Sequence, residues 1–147
     1  MTESEGELLS TAAITTFRLN GQFMTLAEEL AKPAGLTASW WQVLGAVVDE
    51  PLPVSGIARA MGITRQSVQR IADLLVNKGL AEYHDNPAHR RAKLVTPTQA
   101  GFDAMHAISP QHAIAAKKLA EVVGPDELAD VVRALGTLSA AMDRLAD

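Results

Sequence analysis

The stretch Ser55–Lys93, SGIARAMGITRQSVQRIADLLVNKGLAEYHDNPAHRRAK, decides the fold. It predicts a helix, a tight turn, a second helix and a two-stranded hairpin with a basic tip. Ser55 is a good N-cap residue, because its hydroxyl can accept an unpaired backbone N–H of the first turn. Ala58, Gly62 and Val68 then supply a small residue where two helices cross, a glycine for the turn and an inward apolar side chain. This spacing predicts a helix-turn-helix.

The second helix is expected to run from a cap at Thr64 to about Lys78, where Gly79 ends it. Its apolar residues recur at helical spacing and predict one inward stripe: Val68, Ile71, Ala72 and Leu75. The polar residues near its N-terminus are those that contact base edges and phosphates in a major groove: Thr64, Arg65, Gln66, Ser67, Gln69 and Arg70. Ser55 of the first helix is also predicted to contact DNA. The alternative interpretation is an ordinary solvated face.

The predicted hairpin consists of strands at Leu80–His84 and Ala92–Thr96, joined through the turn residues Asp85, Asn86 and Pro87. Its basic residues are concentrated at the tip and base: His89, Arg90, Arg91 and Lys93. An arginine on such a tip can enter a narrow minor groove, where the negative potential is strong. A solvated turn with ordinary charges is the alternative.

The charge distribution favours nucleic acid as the partner. Residues 59–93 carry seven Lys or Arg and three acids, a net charge of +4, whereas the whole chain carries −4. The remaining residues therefore carry −8, so polyanions are expected to bind only one face.

The chain resembles a MarR-type transcriptional regulator. The resemblance lies in an ordered set of stretches between Leu36 and Gly101: LTASWWQVL from Leu36, VSGIARAMG from Val54, residues 68–80, RRAKLV from Arg90 and TQAG from Thr98. It implies a homodimeric winged helix-turn-helix protein that binds double-stranded DNA at a palindromic operator. It also implies that the second helix enters the major groove and a wing arginine the minor groove, often under control of a small ligand or oxidation.

Two positions depart from the family's pattern. Ala88 stands where an aspartate often steadies the wing tip, which predicts a tip that is looser or held differently. Pro97 stands where a leucine is frequent, and it is expected to end the return strand early because proline cannot donate to the ladder.

The fold class predicted is mainly α with a small β-hairpin, a winged helix-turn-helix with N- and C-terminal dimerisation helices. Residues 1–147 suit a single chain domain, with 36–100 as the DNA-binding region and 1–35 plus 101–147 as the helical dimerisation region. Further helices are expected at Glu7–Ala31, from a Thr37 cap to Asp49, and after a Thr98 cap. Pro110 should kink or break the last of these near Ser109.

The final helix, expected over Asp126–Leu145, carries apolar residues at alternating spacings of three and four, typical of a helix that packs along another helix. Packing within one subunit would give the same pattern. A small chain offers little core for so long a helix, however, so dimerisation is favoured. The dimerisation residues predicted are Leu8, Leu128, Val131, Leu135, Leu138, Met142 and Leu145.

A small aromatic ligand is a separate hypothesis. Its pocket is expected near Phe17, Trp40, Trp41 and Phe102, between the dimer layer and the winged region. For Trp41, packing on the long N-terminal helix is the favoured alternative.

Several classes of function are disfavoured. The chain has no cysteine, which excludes disulfides, thiolate zinc sites and cysteine-based sensing. The four histidines lack the spacing of a helical metal site, and no catalytic or phosphate-binding motif occurs, so neither an enzyme nor a metal or other cofactor is expected. No apolar run is long enough to span a membrane and the acidic N-terminus is unlike a signal peptide, so a cytoplasmic protein is expected. The competing function is a winged-helix module that binds protein instead of DNA.

Overall fold

The computed structural model describes residues 2–147. The chain is mainly helical with one small antiparallel sheet, as predicted. In order, its elements are α1 (Glu5–Ala31), a 3-10 turn (Lys32–Ala34), α2 (Ala38–Ala46), β1 (Leu52–Pro53), α3 (Val54–Met61), α4 (Arg65–Asn77), β2 (Ala81–His84), β3 (Leu94–Pro97), α5 (Gln99–Val123) and α6 (Pro125–Ala146). Two compact units divide at Ser109, within α5. Among the helices of the described residues, none has the length and apolar character needed to cross a bilayer.

The predicted helix-turn-helix is present, and its turn and its inward stripe are as expected. Gly62 ends α3 with φ of 67°, the left-handed conformation that the turn needs, and Ile63 N donates to Ala58 O at 3.2 Å. Ala58 is buried at the crossing. The inward stripe of α4 is buried as expected: Val68, Ile71, Ala72 and Leu75. It belongs to a core that also contains residues of α2, α3, β2 and β3.

The prediction that Ser55 caps α3 is wrong. The helix begins at Val54, and its N-cap position is Pro53, two residues before Ser55, with no side-chain cap. Pairing in the sheet explains this, because Leu52 and Pro53 lie opposite Val95 and Leu94. The backbone is therefore extended up to Pro53 and turns helical directly after it.

Two other helix boundaries differ from expectation. A capping box between Ser4 and Glu7 starts α1 at Glu5 instead of Glu7. The second helix ends at Ala46, three residues before Asp49, where buried Val47 leaves the helical region with φ of −113°. The start of α2 is as predicted: Thr37 Oγ1 accepts from Trp40 N at 3.1 Å.

The sheet has the strand order β1-β3-β2, and it corrects the expectation for Pro97. This residue does not end β3 early but is its last member, opposite Ala81. Thr98 N donates to Leu80 O at 3.1 Å, so the alternation of an antiparallel ladder points the Pro97 nitrogen away from β2. The Pro97 nitrogen therefore faces the edge of β3 along which β1 lies. Because β1 pairs only with Leu94 and Val95, it has no backbone acceptor opposite Pro97 that requires an N–H.

Helix α5 contains Pro110 and is nevertheless continuous from Gln99 to Val123, so of the two outcomes expected near Ser109, a kink or a break, the break does not occur. The predicted Thr98 cap is confirmed, because Thr98 Oγ1 accepts from Gly101 N at 3.2 Å. Gly124, with φ of 97°, separates α5 from α6.

Candidate nucleic-acid interface

The N-terminal turn of α4 is built by Thr64. Its Oγ1 accepts from Ser67 N at 3.1 Å and donates to Ser67 Oγ at 2.9 Å, so both side chains are engaged in starting the helix. In this pair the Ser67 hydroxyl group acts only as an acceptor, so its own proton remains available to an acceptor outside the protein. The remaining predicted contact residues of α4 are all exposed: Arg65, Gln66, Gln69 and Arg70.

Gln69 belongs to a hydrogen-bond network that joins α4 to β2. Its Nε2 donates to Asp73 Oδ1 at 3.0 Å and to the Tyr83 hydroxyl at 3.0 Å, and that hydroxyl donates to the same Asp73 oxygen. Because the Tyr83 hydroxyl and the Asp73 oxygen are bonded to each other, the two acceptors lie in nearly the same direction from Gln69 Nε2, within reach of one N–H group.

The network changes the chemistry of Tyr83. Burial of the ring, followed by the hydrogen bond to Asp73 and the negative charge of that carboxylate, raises the pKa of Tyr83 from 10.0 to about 12, while the bond from Gln69 acts in the opposite direction. Tyr83 therefore stays a neutral hydroxyl at physiological pH and can donate to Asp73.

The wing tip is held by Asn86. This residue lies two positions before Ala88, where the family's pattern often has a steadying aspartate. Asn86 Oδ1 accepts from Ala88 N at 3.0 Å, and Asn86 O accepts from His89 N at 3.1 Å. Ala92 N then donates to His89 O at 3.2 Å. These bonds form a local turn from which the predicted contact residues project, all of them exposed: His89, Arg90, Arg91 and Lys93.

The basic side chains of α4 and the wing are not neutralised by ion pairs. Over residues 2–147, the contacts between basic and acidic side chains are Arg133–Asp130, which is an ion pair, and His84–Glu82, which is one only when His84 is protonated. Neither involves an arginine of α4 or of the wing tip. The positive charge of this region therefore faces solvent and can attract a polyanion.

Two predicted contact residues are not among the exposed set. Ser55 is half-buried in the first turn of α3, and Ser67 is half-buried in the first turn of α4. The bonds of Gln69 and Tyr83, by contrast, tie α4 directly to the strand that leads into the wing.

The predicted ligand-pocket residues have different environments. Phe17 is 74% exposed on α1, whereas Phe102 is half-buried. Trp40 and Trp41 are half-buried and pack against the core. No group of three His, Asp or Glu side chains in the described chain is arranged to hold a metal ion.

The predicted dimerisation residues are largely exposed in the single chain. Leu8 is 52% exposed on α1, and Leu128 is half-buried at the start of α6. The other members of the α6 stripe are between 39% and 78% exposed: Val131, Leu135, Leu138, Met142 and Leu145.

Sequence reasoning missed three residues of this region. Asp73 was detectable, because Gln69 and Asp73 stand at i and i+4, a spacing at which Gln and Asp side chains meet on a helix. Asn86 was recognised as a turn residue but not as the residue that holds the tip. Tyr83 had no signal in the sequence, because its place depends on how β2 packs against α4.

Comparison with known proteins agrees with this geometry. The MarR family model matches residues 34–92. An uncharacterized protein of Mycobacterium tuberculosis is 39% identical over 112 residues, which cover 76% of this chain and 78% of that protein. A MarR family transcriptional regulator from Silicibacter pomeroyi has the same fold, with a TM-score of 0.79, 24% identity and coverage of 95% of this chain and 94% of that one. The transcriptional repressor CouR, solved bound to a 23-mer DNA duplex, is similar with a TM-score of 0.75, 22% identity and coverage of 95% and 99%. The chain belongs to the MarR family of transcriptional regulators, which are DNA-binding proteins and not enzymes.

Proposed function

We propose that this regulator is a homodimeric repressor that binds a palindromic operator. In each subunit, α4 lies in the major groove and the wing tip reaches the adjacent minor groove. The observation that carries the proposal is the exposed, unpaired basic character of α4 and of the tip that follows it: Arg65, Arg70, Arg90 and Arg91.

The contacts divide by chemistry. Gln66, Gln69 and Arg70 are assigned to base edges, with Ser67 within reach of either a base or a phosphate. Arg65 and the Thr64 turn lie nearer the sugar-phosphate backbone. We assign the minor-groove contact to Arg90 or Arg91, because a narrow A·T tract concentrates negative potential there. The DNA complex of the structurally similar repressor CouR supports DNA as the partner and repression as the effect.

Dimerisation follows from the apolar stripe of α6 and the exposed apolar residues of α1. A row of exposed leucines and valines along a 22-residue helix is a surface that a second helix can cover. Twofold symmetry would then place two copies of α4 about 34–36 Å apart, one turn of DNA. Since the proposed target is chromosomal DNA, we expect the protein to act in the cytoplasm.

Selection of bound sequences from a random pool of duplex DNA tests the proposal. The expected product is a palindrome whose half-sites are centred one helical turn apart. Recovery of no consensus, or of a single unrepeated half-site, would contradict it. A transcription assay with the selected site placed across a promoter then separates repression from activation.

Release by a small aromatic ligand remains a prediction with its own test. Quenching of the fluorescence of Trp40 and Trp41 by a panel of aromatic acids, together with loss of operator binding, would support it. No quenching and no loss of binding with any member of the panel would count against it.

A further inference from the structure

The hairpin that carries the wing tip is attached to the rest of the winged region on two sides. Strand β3 lies in the middle of the sheet and pairs with β1, where Leu94 lies opposite Pro53. Strand β2 is at the edge of the sheet, so within the described residues its strand partner is β3 alone. The further attachment of β2, to helix α4, is made by side chains.

Tyr83 makes this attachment with its hydroxyl group. Burial alternates along β2, and Ala81 and Tyr83 are the residues turned towards the core, so Tyr83 is the inward residue nearest the tip. Its hydroxyl donates to Asp73 Oδ1 and accepts from Gln69 Nε2. Tyr83 thereby connects β2 with two side chains of α4.

The tip itself is held only from within. In the described chain, the hydrogen bonds of residues 86–92 run among themselves, from Asn86 to Ala88 and His89 and from His89 to Ala92. Arg90 and Arg91 are therefore carried by a hairpin whose bond to α4 nearest the tip is that of Tyr83. A small change of angle at Tyr83 becomes a larger displacement at the tip.

The angle between α4 and the hairpin matters because their proposed DNA contacts lie in two different grooves. The duplex fixes the separation of the grooves, so both contacts form together only when this angle is correct. A hairpin held at that angle before DNA binds loses less conformational freedom in the complex, which is the benefit of preorganisation.

We propose that Asp73 and Tyr83 are positioning residues that set the angle of the wing to α4, so that Arg90 or Arg91 meets the minor groove while α4 occupies the major groove. The proposal rests on the proposed function and adds the residues that bring its two contacts into register. Asp73 and Tyr83 themselves need not touch DNA.

The test uses the full-length protein and the operator selected from the random pool. Comparing the base preferences of the wild type with those of a variant that carries both Arg90→Ala and Arg91→Ala identifies the base pairs read by the wing. Two operators are then made that differ only at these pairs, one with A·T and one with G·C. The readout is the ratio of the affinities for the two operators, measured with one preparation, which does not depend on the fraction of protein that folds.

We expect the wild type to prefer the A·T operator by about fivefold or more, because a narrow minor groove attracts arginine. Tyr83→Phe and Asp73→Ala should each remove most of this preference. Glu82→Ala is the matched control on β2, because Glu82 is exposed and its carboxylate bonds to His84 of its own strand. It should leave the ratio unchanged.

A second measurement separates action through the wing from action on α4. Tyr83→Phe keeps the ring and removes only the hydroxyl, and its effect on affinity for the A·T operator is compared with and without Arg90 and Arg91. If the hydroxyl acts through the wing, a loss of about fivefold in the presence of the arginines should disappear in their absence. An equal loss in both backgrounds would overturn the proposal.

A wild-type ratio in Tyr83→Phe or in Asp73→Ala would also overturn it. The same holds for a selected operator in which no base preference depends on Arg90 or Arg91. If the wild type selects no sequence at all, the proposed function itself is wrong, a result distinct from a wild type whose wing reads DNA without help from Tyr83.

Discussion

Gly101 of α5 lies against the backbone of Leu80, so closely that a Cβ atom at Gly101 would be 2.1 Å from the Leu80 carbonyl oxygen. The contact is reinforced by Thr98, whose backbone N–H donates to Leu80 O and whose hydroxyl donates to Gly79 O at 2.6 Å. The start of α5 is thereby joined to the turn that follows α4.

Replacing Gly101 by alanine should therefore destabilise the protein. The added methyl group meets rigid backbone instead of a movable side chain, so α5 must shift from the turn. We expect a loss of at least about 2 kcal/mol in the free energy of unfolding, measured by urea titration at a fixed protein concentration.

Gly21→Ala is the matched control, because Gly21 lies inside α1, is exposed and has no atom within 4 Å of the place that an alanine methyl group would take. Alanine should stabilise the helix there by about 0.5–1 kcal/mol. A Gly101→Ala protein as stable as the wild type would show that the close approach to Leu80 does not exist in solution.

Local sequence patterns were sufficient for most of the helix-turn-helix, because its inward stripe, its turn glycine and the Thr64 cap are all short-range signals. They were insufficient where a partner distant in sequence decides the outcome. Pairing of β1 with β3 moves the N-cap of α3 from Ser55 to Pro53, and the absence of a β1 partner beyond Val95 lets Pro97 remain in the sheet.

The titration of Tyr83 offers a direct check of the network on α4 and β2. Tyr83 is the only tyrosine, so tyrosinate absorbance reports on it alone. In the native protein its pKa should be about 12, against 10.0 for an unperturbed tyrosine. Between these values the unfolded chain loses its proton while the native state keeps it, so the stability contributed by Tyr83 declines as the pH rises from 10.0 towards 12.

Two variants should shift this titration in opposite directions. Asp73→Asn removes the negative charge that raises the pKa of Tyr83, so the midpoint should fall. Gln69→Ala removes a hydrogen bond that lowers it, so the midpoint should rise. A native midpoint near 10.0 that neither variant changes would be incompatible with the network.

Sequence patterns likewise predict some residues of the candidate interface and miss others. Composition and helical periodicity were enough to nominate exposed residues such as Arg65, Gln66 and Arg70. The engagement of Gln69 with Tyr83 was not accessible, because the strand that carries Tyr83 meets α4 only after the chain has folded.

We expect the wing arginines to contribute to DNA binding through their charge and not by shaping the β-hairpin. Arg91→Ala is expected to weaken operator binding and to reduce the slope of log affinity against log salt by about 1, as for one lost phosphate contact. Gel-shift titrations at several salt concentrations measure both effects.

Lys32→Ala is the control, since Lys32 is exposed but lies outside the basic stretch of residues 59–93. Its salt slope should equal that of the wild type. Retention of full operator affinity after replacing Arg65, Arg70 and Arg91 together would show that this surface is not the DNA-binding face.

The apolar stripe of α6 yields the last prediction. Leu138 is 39% exposed in the single chain and lies between Leu135 and Met142 on the same face of the helix. An aspartate there would place an unpaired charge within the proposed dimer interface, whose desolvation no partner offsets. We expect Leu138→Asp to be monomeric by sedimentation at concentrations where the wild type is dimeric.

Ala140→Asp distinguishes loss of dimerisation from a general effect of added charge. Ala140 is exposed on the same helix but on the opposite face, so its aspartate should remain solvated and leave the dimer intact. The monomeric Leu138→Asp protein should still bind random duplex DNA weakly at low salt, because each subunit keeps its own α4 and wing. Its preference for the palindrome should disappear, since that preference requires two copies of α4 held in one assembly. A monomer that still prefers the full palindrome to a half-site would separate DNA recognition from dimerisation and overturn the twofold arrangement.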